Sequence, residues 1–349
     1  MKKIIIFLLC TIISTSFLFS QNREIAPKIT LSKDNIKGNV SKIIVKNYKL
    51  VNSFGELKKG ELLEETEIRY NERGQMRHKQ IMSDGGTNLE TCSYYNNGLI
   101  SDYIYVNLKN DGYGNKVLTE AEYHTYKYNS NNELEEVYIN DRPNFFITKE
   151  FKDWGRIEDA NKKLVYNYEN GKVTSIDKYV RNRLYSRTKR TYVSEDKYED
   201  VEYGEDGDVI SILAYQNGLK VYSYKDKNAT TIIYDAQGNI IKIGIELEAP
   251  KGAKAVYNGQ IIGKTHDLIT TITYDDKGNQ SSIHEVYGYN NTNIIKMDYS
   301  DYKFDRIGNW TSRLTTVDSR NSKYKNSIEE REITYYSSTD SSNSLETAK

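Results

Sequence analysis

One short pattern recurs along this chain: an aromatic residue closing an alternating stretch, then three polar residues, a glycine and another polar residue. It reads Tyr70-Asn71-Glu72-Arg73-Gly74-Gln75, then Tyr203-Gly204-Glu205-Asp206-Gly207-Asp208. It returns as Tyr234-Asp235-Ala236-Gln237-Gly238-Asn239 and as Tyr274-Asp275-Asp276-Lys277-Gly278-Asn279. A last copy changes the aromatic, Phe304-Asp305-Arg306-Ile307-Gly308-Asn309, and Tyr128-Asn129-Ser130-Asn131-Asn132 puts asparagine where the glycine stood. Aspartate or asparagine at the first turn position accepts hydrogen bonds from the backbone ahead of it. Glycine three residues on supplies the left-handed conformation. Shorter Asn-Gly forms stand between these copies, at Tyr95 to Gly98, Tyr168 to Gly171, Tyr215 to Gly218 and Tyr257 to Gly259. Asn-Gly between alternating segments is the strongest short-range sign of a hairpin.

The intervening segments have the period of strands. Ile241, Ile243, Ile245 and Leu247 alternate with Lys242, Gly244, Glu246 and Glu248, whereas the stretch after Gly98 alternates but is apolar on both faces. Outside the leader no segment has a helical period, and residues 150–162, the least strand-like, are expected to form a loop or short helix. The fold class expected is therefore all-β: repeated antiparallel hairpins in a long twisted meander that curls as an open barrel or spiral.

Tyrosine occurs 31 times against 8 phenylalanines, and counting glycine but not tyrosine leaves an apolar fraction near 34%, below the usual ~45–50%. A thick two-layer core is not available at that composition. A thin sheet lined with rings that are apolar along their length and wet at the tip is.

Lys2 and Lys3 followed by an apolar run from Ile4 to Phe19 form a secretory leader, with cleavage expected between Ser20 and Gln21. Residues 21–27 are a short lead, the repeat domain is placed at 28–337, and the serine-rich tail 338–349 is expected to be disordered. No later stretch approaches the roughly 20 apolar residues of a membrane helix, so no membrane span is expected in the mature chain. Loss of the leader leaves 47 basic and 49 acidic residues, a balance that does not favour nucleic acid as a partner. Cys92 is then the single cysteine and is expected to be a small buried hydrophobe.

The search for chemistry ends without a catalytic constellation. His78, His124, His266 and His284 have no ligand-type spacing, so neither a metal nor another cofactor is expected. Asn110 to Asn115 lacks the alternating ligands of a calcium loop and fits a glycine-rich hairpin tip. The carboxylates are plentiful but fall largely in turns, and a non-enzymatic role is expected. Aromatic stripes are the one feature with binding potential: Tyr103, Tyr105, Tyr287, Tyr289 and Trp310 are the candidate binding residues, able to stack on sugars or on protein side chains. The plainer reading is that these rings pack across strands.

The Tyr-Asp-x-x-Gly-Asn copies at Tyr234 and Tyr274 resemble the YD repeats of the Rhs-like family. The segment Lys303 to Thr311 followed by Glu330 to Tyr336, with Ile36 to Ile43 as an opening strand, is similar to exported repeat proteins of the Bacteroidota. The resemblance implies a β-repeat shell. Full Rhs toxins enclose a C-terminal toxin released at a proline-containing cleavage motif, whereas this chain is far shorter and carries no such motif near Pro27, Pro143 or Pro250. The expectation is a non-catalytic structural or binding module of the periplasm or cell envelope, with an envelope protein or polysaccharide as partner. The alternatives are a carbohydrate-binding protein with exposed tyrosines and a two-carboxylate hydrolase.

Overall fold

The computed structural model describes residues 36–111, 113, 115–141, 160–225, 228–246, 268–287, 293–319 and 326–336. The leader, the lead segment, the C-terminal tail and nearly all of 150–162 lie outside them. The described residues form twenty β-strands. The first seven are β1 (Val40–Ser53), β2 (Glu56–Tyr70), β3 (Met76–Ser83), β4 (Gly86–Tyr94), β5 (Ile100–Asn110), β6 (Lys116–Tyr128) and β7 (Leu134–Asn140). Next come β8 (Lys162–Glu169), β9 (Lys172–Val180), β10 (Arg183–Tyr192), β11 (Lys197–Gly204), β12 (Val209–Gln216), β13 (Leu219–Lys225) and β14 (Asn228–Tyr234). The chain ends with β15 (Ile240–Glu246), β16 (Leu268–Tyr274), β17 (Gln280–Tyr287), β18 (Asn293–Phe304), β19 (Trp310–Ser319) and β20 (Ser327–Tyr335).

Each strand pairs antiparallel with the next, and β20 pairs antiparallel with β1, from Val40 opposite Tyr335 to Lys49 opposite Ser327. The meander therefore goes beyond the expected open curl and closes into a ring. Closure is what removes exposed strand edges altogether.

Even-numbered strands run toward one rim, and each ends in an aromatic residue at its last or second-last position: Tyr70, Tyr94, Tyr128, Tyr168, Tyr192, Tyr215, Tyr234, Tyr274, Phe304 and Tyr335. The turns that follow are of few kinds, two-residue Asn-Gly turns after β8 and β12 and the longer repeat turn at most of the others. In the copy after β14, Asp235 Oδ1 accepts from the backbone N–H of Gln237 at 2.9 Å and of Asn239 at 2.8 Å. The Asn239 amide returns a bond to Asp235 Oδ2 at 2.9 Å, and Gly238 takes a φ of 84°. Asp275, Asn71 and Asn129 repeat the arrangement, with Asn132 at a φ of 62° in the place of glycine.

The tyrosines do more than end strands. Tyr94 donates its hydroxyl to Met76 O at 2.6 Å, Tyr168 to Leu134 O at 2.8 Å and Tyr234 to Lys220 O at 2.9 Å. Tyr274 donates to Ile240 O at 3.0 Å and Tyr302 to Gln280 O at 2.6 Å. In each case the acceptor opens the strand that leaves the preceding turn at the same rim, or lies one residue into it. The ring of one repeat thus packs over the neighbouring hairpin while its hydroxyl pairs a carbonyl there.

Two turns of the same shape lie at the opposite rim. Gly204 to Asp208 is one of them, with Gly207 at a φ of 78°. Asp111 is the other, accepting from Tyr113 and Asn115 at 2.8 Å. The second is the Asn110–Asn115 segment; its Asp-x-x-Gly-Asn spelling makes it a repeat-type turn preceded by Asn110 in place of tyrosine. Conversely, Tyr95 to Gly98 is a full copy, with Tyr95 in the aspartate position and Tyr94 closing the strand.

Closure itself uses the last copy differently. Lys37 N donates to Asn309 Oδ1 at 2.7 Å, and the Asn309 amide donates to Lys37 O and to the Tyr335 hydroxyl, each at 2.8 Å. Tyr335 in turn donates to the Asp305 carboxylate. Tyr336 N donates to Asn39 O at 2.8 Å and its hydroxyl to Tyr70 O at 2.6 Å.

The inner face carries the main apolar cluster, with Ile43, Met76, Cys92, Tyr126, Val137 and Leu164 all but fully buried. The outer face is mixed: it carries ion pairs such as Lys46–Glu332 at 2.6 Å and Lys163–Glu136 at 3.3 Å, and over β12 to β14 a second buried apolar cluster of Ile212, Ala214, Tyr222, Tyr224 and Ala229. Strand β5 is buried on both faces, as its doubly apolar sequence requires: Tyr103 and Tyr105 on one, Ile104 and Val106 on the other.

Two outcomes follow. Tyr168→Phe and Tyr234→Phe should each lower stability to urea by about 1 kcal/mol, the net worth of one hydrogen bond. Tyr185→Phe, on a ring half exposed, should leave it unchanged; equal effects at all three would refute the tie. The turn aspartates supply the second. Burial, the largest single influence, pushes upward, but the combined bonds from Asn239 and the turn backbone hold Asp235 below its ordinary 3.8, and the same balance holds Asp275 down. A depressed folded value means the contribution is complete above pH about 4 and is lost as pH falls through the depressed value. The melting temperature should therefore drop on acidification below pH about 4, and less steeply in Asp235→Asn/Asp275→Asn, whose side chains bond without titrating.

Candidate functional site

The aromatic residues expected to bind are not gathered on one open face. Tyr103 and Tyr105 are 3% and 8% exposed on the inner side of β5. Tyr103 donates to Glu90 Oε2 at 3.2 Å and meets His124 edge-on at 5.4 Å. His124 is in turn held by the Tyr126 hydroxyl at 3.3 Å and by Glu122 at 3.2 Å. Trp310 opens β19, and its ring is covered by the Arg331 guanidinium at 3.3 Å, with Arg313 at 4.6 Å and Tyr302 edge-on at 6.0 Å. These rings pack rather than present themselves. Tyr289 and the side chain of Tyr287 lie outside the described residues.

The interior explains the demand for aromatics. Arg190 forms a two-pronged pair with Asp200, both bonds 2.7 Å, and lies 4.1 Å from the Tyr198 ring, which stacks on Tyr215 at 4.7 Å. Arg313 reaches Glu329 at 2.8 Å beneath Trp310 and Tyr299. Burying such pairs costs desolvation, and ring faces supply a cation–π contact in the place of water. Glu64 and Glu329 flank Asn47 on the inner face. Burial, then the Glu329 charge, lifts the Glu64 carboxyl above its ordinary range. Of the carboxylates at the turns, Asp235, Asp275 and Asp305 are engaged by their own turns. No group of His, Cys, Asp and Glu among the described residues is arranged to hold a metal.

A depression of about 680 Å³ lies on the outer face where the ring closes, and sequence reasoning gave no hint of it. Its floor is one row across four strands: Thr334 of β20 opposite Lys42 of β1, Lys42 opposite Arg69 of β2, and Arg69 opposite His78 of β3. Arg77, Ser41, Tyr70 and Tyr336 complete the wall. Like charges directly opposed across a ladder repel, and here Lys42 faces Arg69. One carboxylate, Glu67, pairs with Arg69 at 2.5 Å, and among the described residues neither Lys42 nor Arg77 forms an ion pair. Burial, then the Arg69 charge, pushes His78 below its ordinary value. The only visible signal was the basic spelling Arg73, Arg77, His78, Lys79; the partners come from the two ends of the chain.

No protein-family profile matches the sequence, and no curated protein matches it. Among solved structures, a porin-like protein from Bacteroides uniformis is 12% identical, covers 84% of this chain and 96% of its own, and superposes with a TM-score of 0.33. A porin-like protein from Bacteroides vulgatus is 12% identical over 86% of this chain and 99% of its own, with a TM-score of 0.19. The TcdB2-TccC3 structure is 10% identical over 81% of this chain and 18% of its own, with a TM-score of 0.20. Likenesses at these scores carry over neither path nor function, and the architecture rests on this chain's own strand pairing.

Cys92 is 2% exposed, and burial pushes its thiol up to about 12. In the chain from Gln21 it should resist a thiol reagent at pH about 8 until the protein is unfolded in denaturant. Rapid labelling of the folded chain would overturn its assignment to the core.

Proposed function

We propose that this chain is a non-catalytic, exported cell-envelope protein whose YD-like repeats build a rigid ring, and that the ring serves as a binding module. The observation that carries the reading is where the polar chemistry goes. Inside, the Arg190–Asp200 and Arg313–Glu329 pairs are held by their own partners and by rings. On the outer face, at the seam, Lys42, Arg69 and His78 stand in one row across β1, β2 and β3. The leader at residues 1–20 supports export, and the resemblance of the Tyr234 and Tyr274 copies supports membership among YD-repeat proteins.

A ring of antiparallel strands also suits a membrane pore, but a pore's lipid-facing band must be apolar. Here Lys46, Glu332, Lys163 and Glu136 all lie on the outer face. A water-exposed ring in the periplasm or at the envelope surface fits that face. The carbohydrate reading through exposed tyrosine rows loses Tyr103, Tyr105 and Trp310, which are covered. The two-carboxylate hydrolase calls for acids that converge away from the turns; Glu64 and Glu329 do so, and Glu329 is held by Arg313.

Expression of the full chain with a C-terminal tag and cell fractionation should place it, cut after Ser20, in the periplasmic or envelope fraction. Recovery of uncut chain from the cytosol would sink the reading. A thermal-shift screen of the chain from Gln21 against envelope polysaccharides would then show binding as a melting temperature that rises with ligand concentration.

A further inference from the structure

We propose that the depression at the ring seam is an oxyanion site, taking a carboxylate or phosphate group through Lys42, Arg69 and Arg77. The proposal rests on the reading of the ring as a binding module and names the chemistry that one face of it would hold.

Three observations converge. The first is charge placed against its own preference: Lys42 is the direct cross-strand partner of Arg69, and Arg69 of His78. Directly opposed side chains are about 4.5–5.5 Å apart at Cβ, and like charges there destabilise the ladder. Elsewhere on the same face opposite charges are matched, as at Lys46–Glu332 and Lys59–Glu330, both 2.6 Å. The unmatched row coincides with the depression.

The second is donor capacity. Arg69 commits Nε to Glu67 at 2.5 Å and makes no other hydrogen bond among the described residues, so its terminal nitrogens are available. Lys42 and Arg77 make none there. A guanidinium fork and an ammonium on neighbouring strands match the two or three oxygens of a carboxylate or phosphate. Of the nearby carboxylates, Glu67 pairs with Arg69 and Glu332 with Lys46, while Glu332 also feels Lys42 and Glu72 acts on Tyr336.

The third is topology. The three donors lie on β1, β2 and β3, and closure adds Thr334 and Tyr336 to complete the wall. An anion there would bridge the strand that begins the ring and those after it, with Tyr336 anchored to Tyr70 O at the edge. Occupancy therefore stabilises the folded chain, and melting temperature reports binding.

The test uses the full chain from Gln21 at low ionic strength. Sodium phosphate and, in a separate arm, a galacturonate oligosaccharide are titrated while melting is followed, with sodium chloride at equal ionic strength as reference. One or both probes should raise the melting temperature beyond chloride, and the effective arm tells phosphate from carboxylate. Lys42→Gln/Arg77→Gln should need at least about tenfold more probe for the same shift, roughly 1.4 kcal/mol of binding. Without probe it should melt no lower than the parent, since a repulsion has been removed. Lys163→Gln, on β8 and paired with Glu136, should respond like the parent. Equal responses of parent and double variant, or no shift beyond chloride in either arm, would overturn the site. Neither result touches the export reading, which fractionation decides separately.

Discussion

A phenolic hydroxyl that reaches across to a carbonyl at or near the start of the neighbouring hairpin is the contact on which the ring depends. Every even-numbered strand ends in an aromatic, and five of the tyrosines at this rim make the same reach: Tyr94, Tyr168, Tyr234, Tyr274 and Tyr302. A single hairpin has no second layer to pack on and is marginal alone. The tyrosine provides both halves of the missing contact, ring area for the neighbour's apolar surface and a donor for a carbonyl at the start of the neighbouring strand. Phenylalanine would supply the area without the bond, which accounts for the strong bias of the composition. The arrangement is a nearest-neighbour one, in which each unit is stabilised by the next.

Closure adds a term that the repeats do not contain. In two other copies the closing asparagine bonds back to its own aspartate, as Asn239 does to Asp235 and Asn279 to Asp275. At the seam Asn309 turns away to Lys37 and Tyr335, and Tyr335 takes over the aspartate. The same three residue types thus hold a turn in one place and join the two ends of the chain in another. The seam is where local chemistry is altered, and it is where the outer face holds charge without a match.

Much of the architecture was legible because it is written in local chemistry. The Asp235, Asp275 and Asp305 turns and their glycines follow from side chains acting within five residues, and so did the strand identity of what lies between. The Asp111 turn was read as a hairpin tip but not as a repeat copy, because Asn110 stands where tyrosine was sought, and the full copy at Tyr95 was hidden because the strand-ending ring is Tyr94. Which face a ring occupies depends on bulges such as that between Ser93 and Tyr94, and a one-residue shift reverses every side chain beyond it. That is why Tyr103, Tyr105 and Trp310 read as candidates for binding and are in fact covered. Trp310 owes its cover to Arg331, on the facing strand, and the seam depression joins residues from both ends of the chain. Nothing within a window of sequence could join them.

The bond from Ser41 to Thr334 spans 293 positions, and that length fixes an order of events. The first strand leaves the ribosome long before the last, and until β20 arrives one side of β1 has no partner. Contacts of such separation are late, because the loop they close must be ordered first. An interrupted or truncated chain keeps two open edges, which are templates for pairing with other chains. The ring is therefore a length check: the arrival of β20 on β1 is what converts an aggregation-prone ribbon into a closed ring.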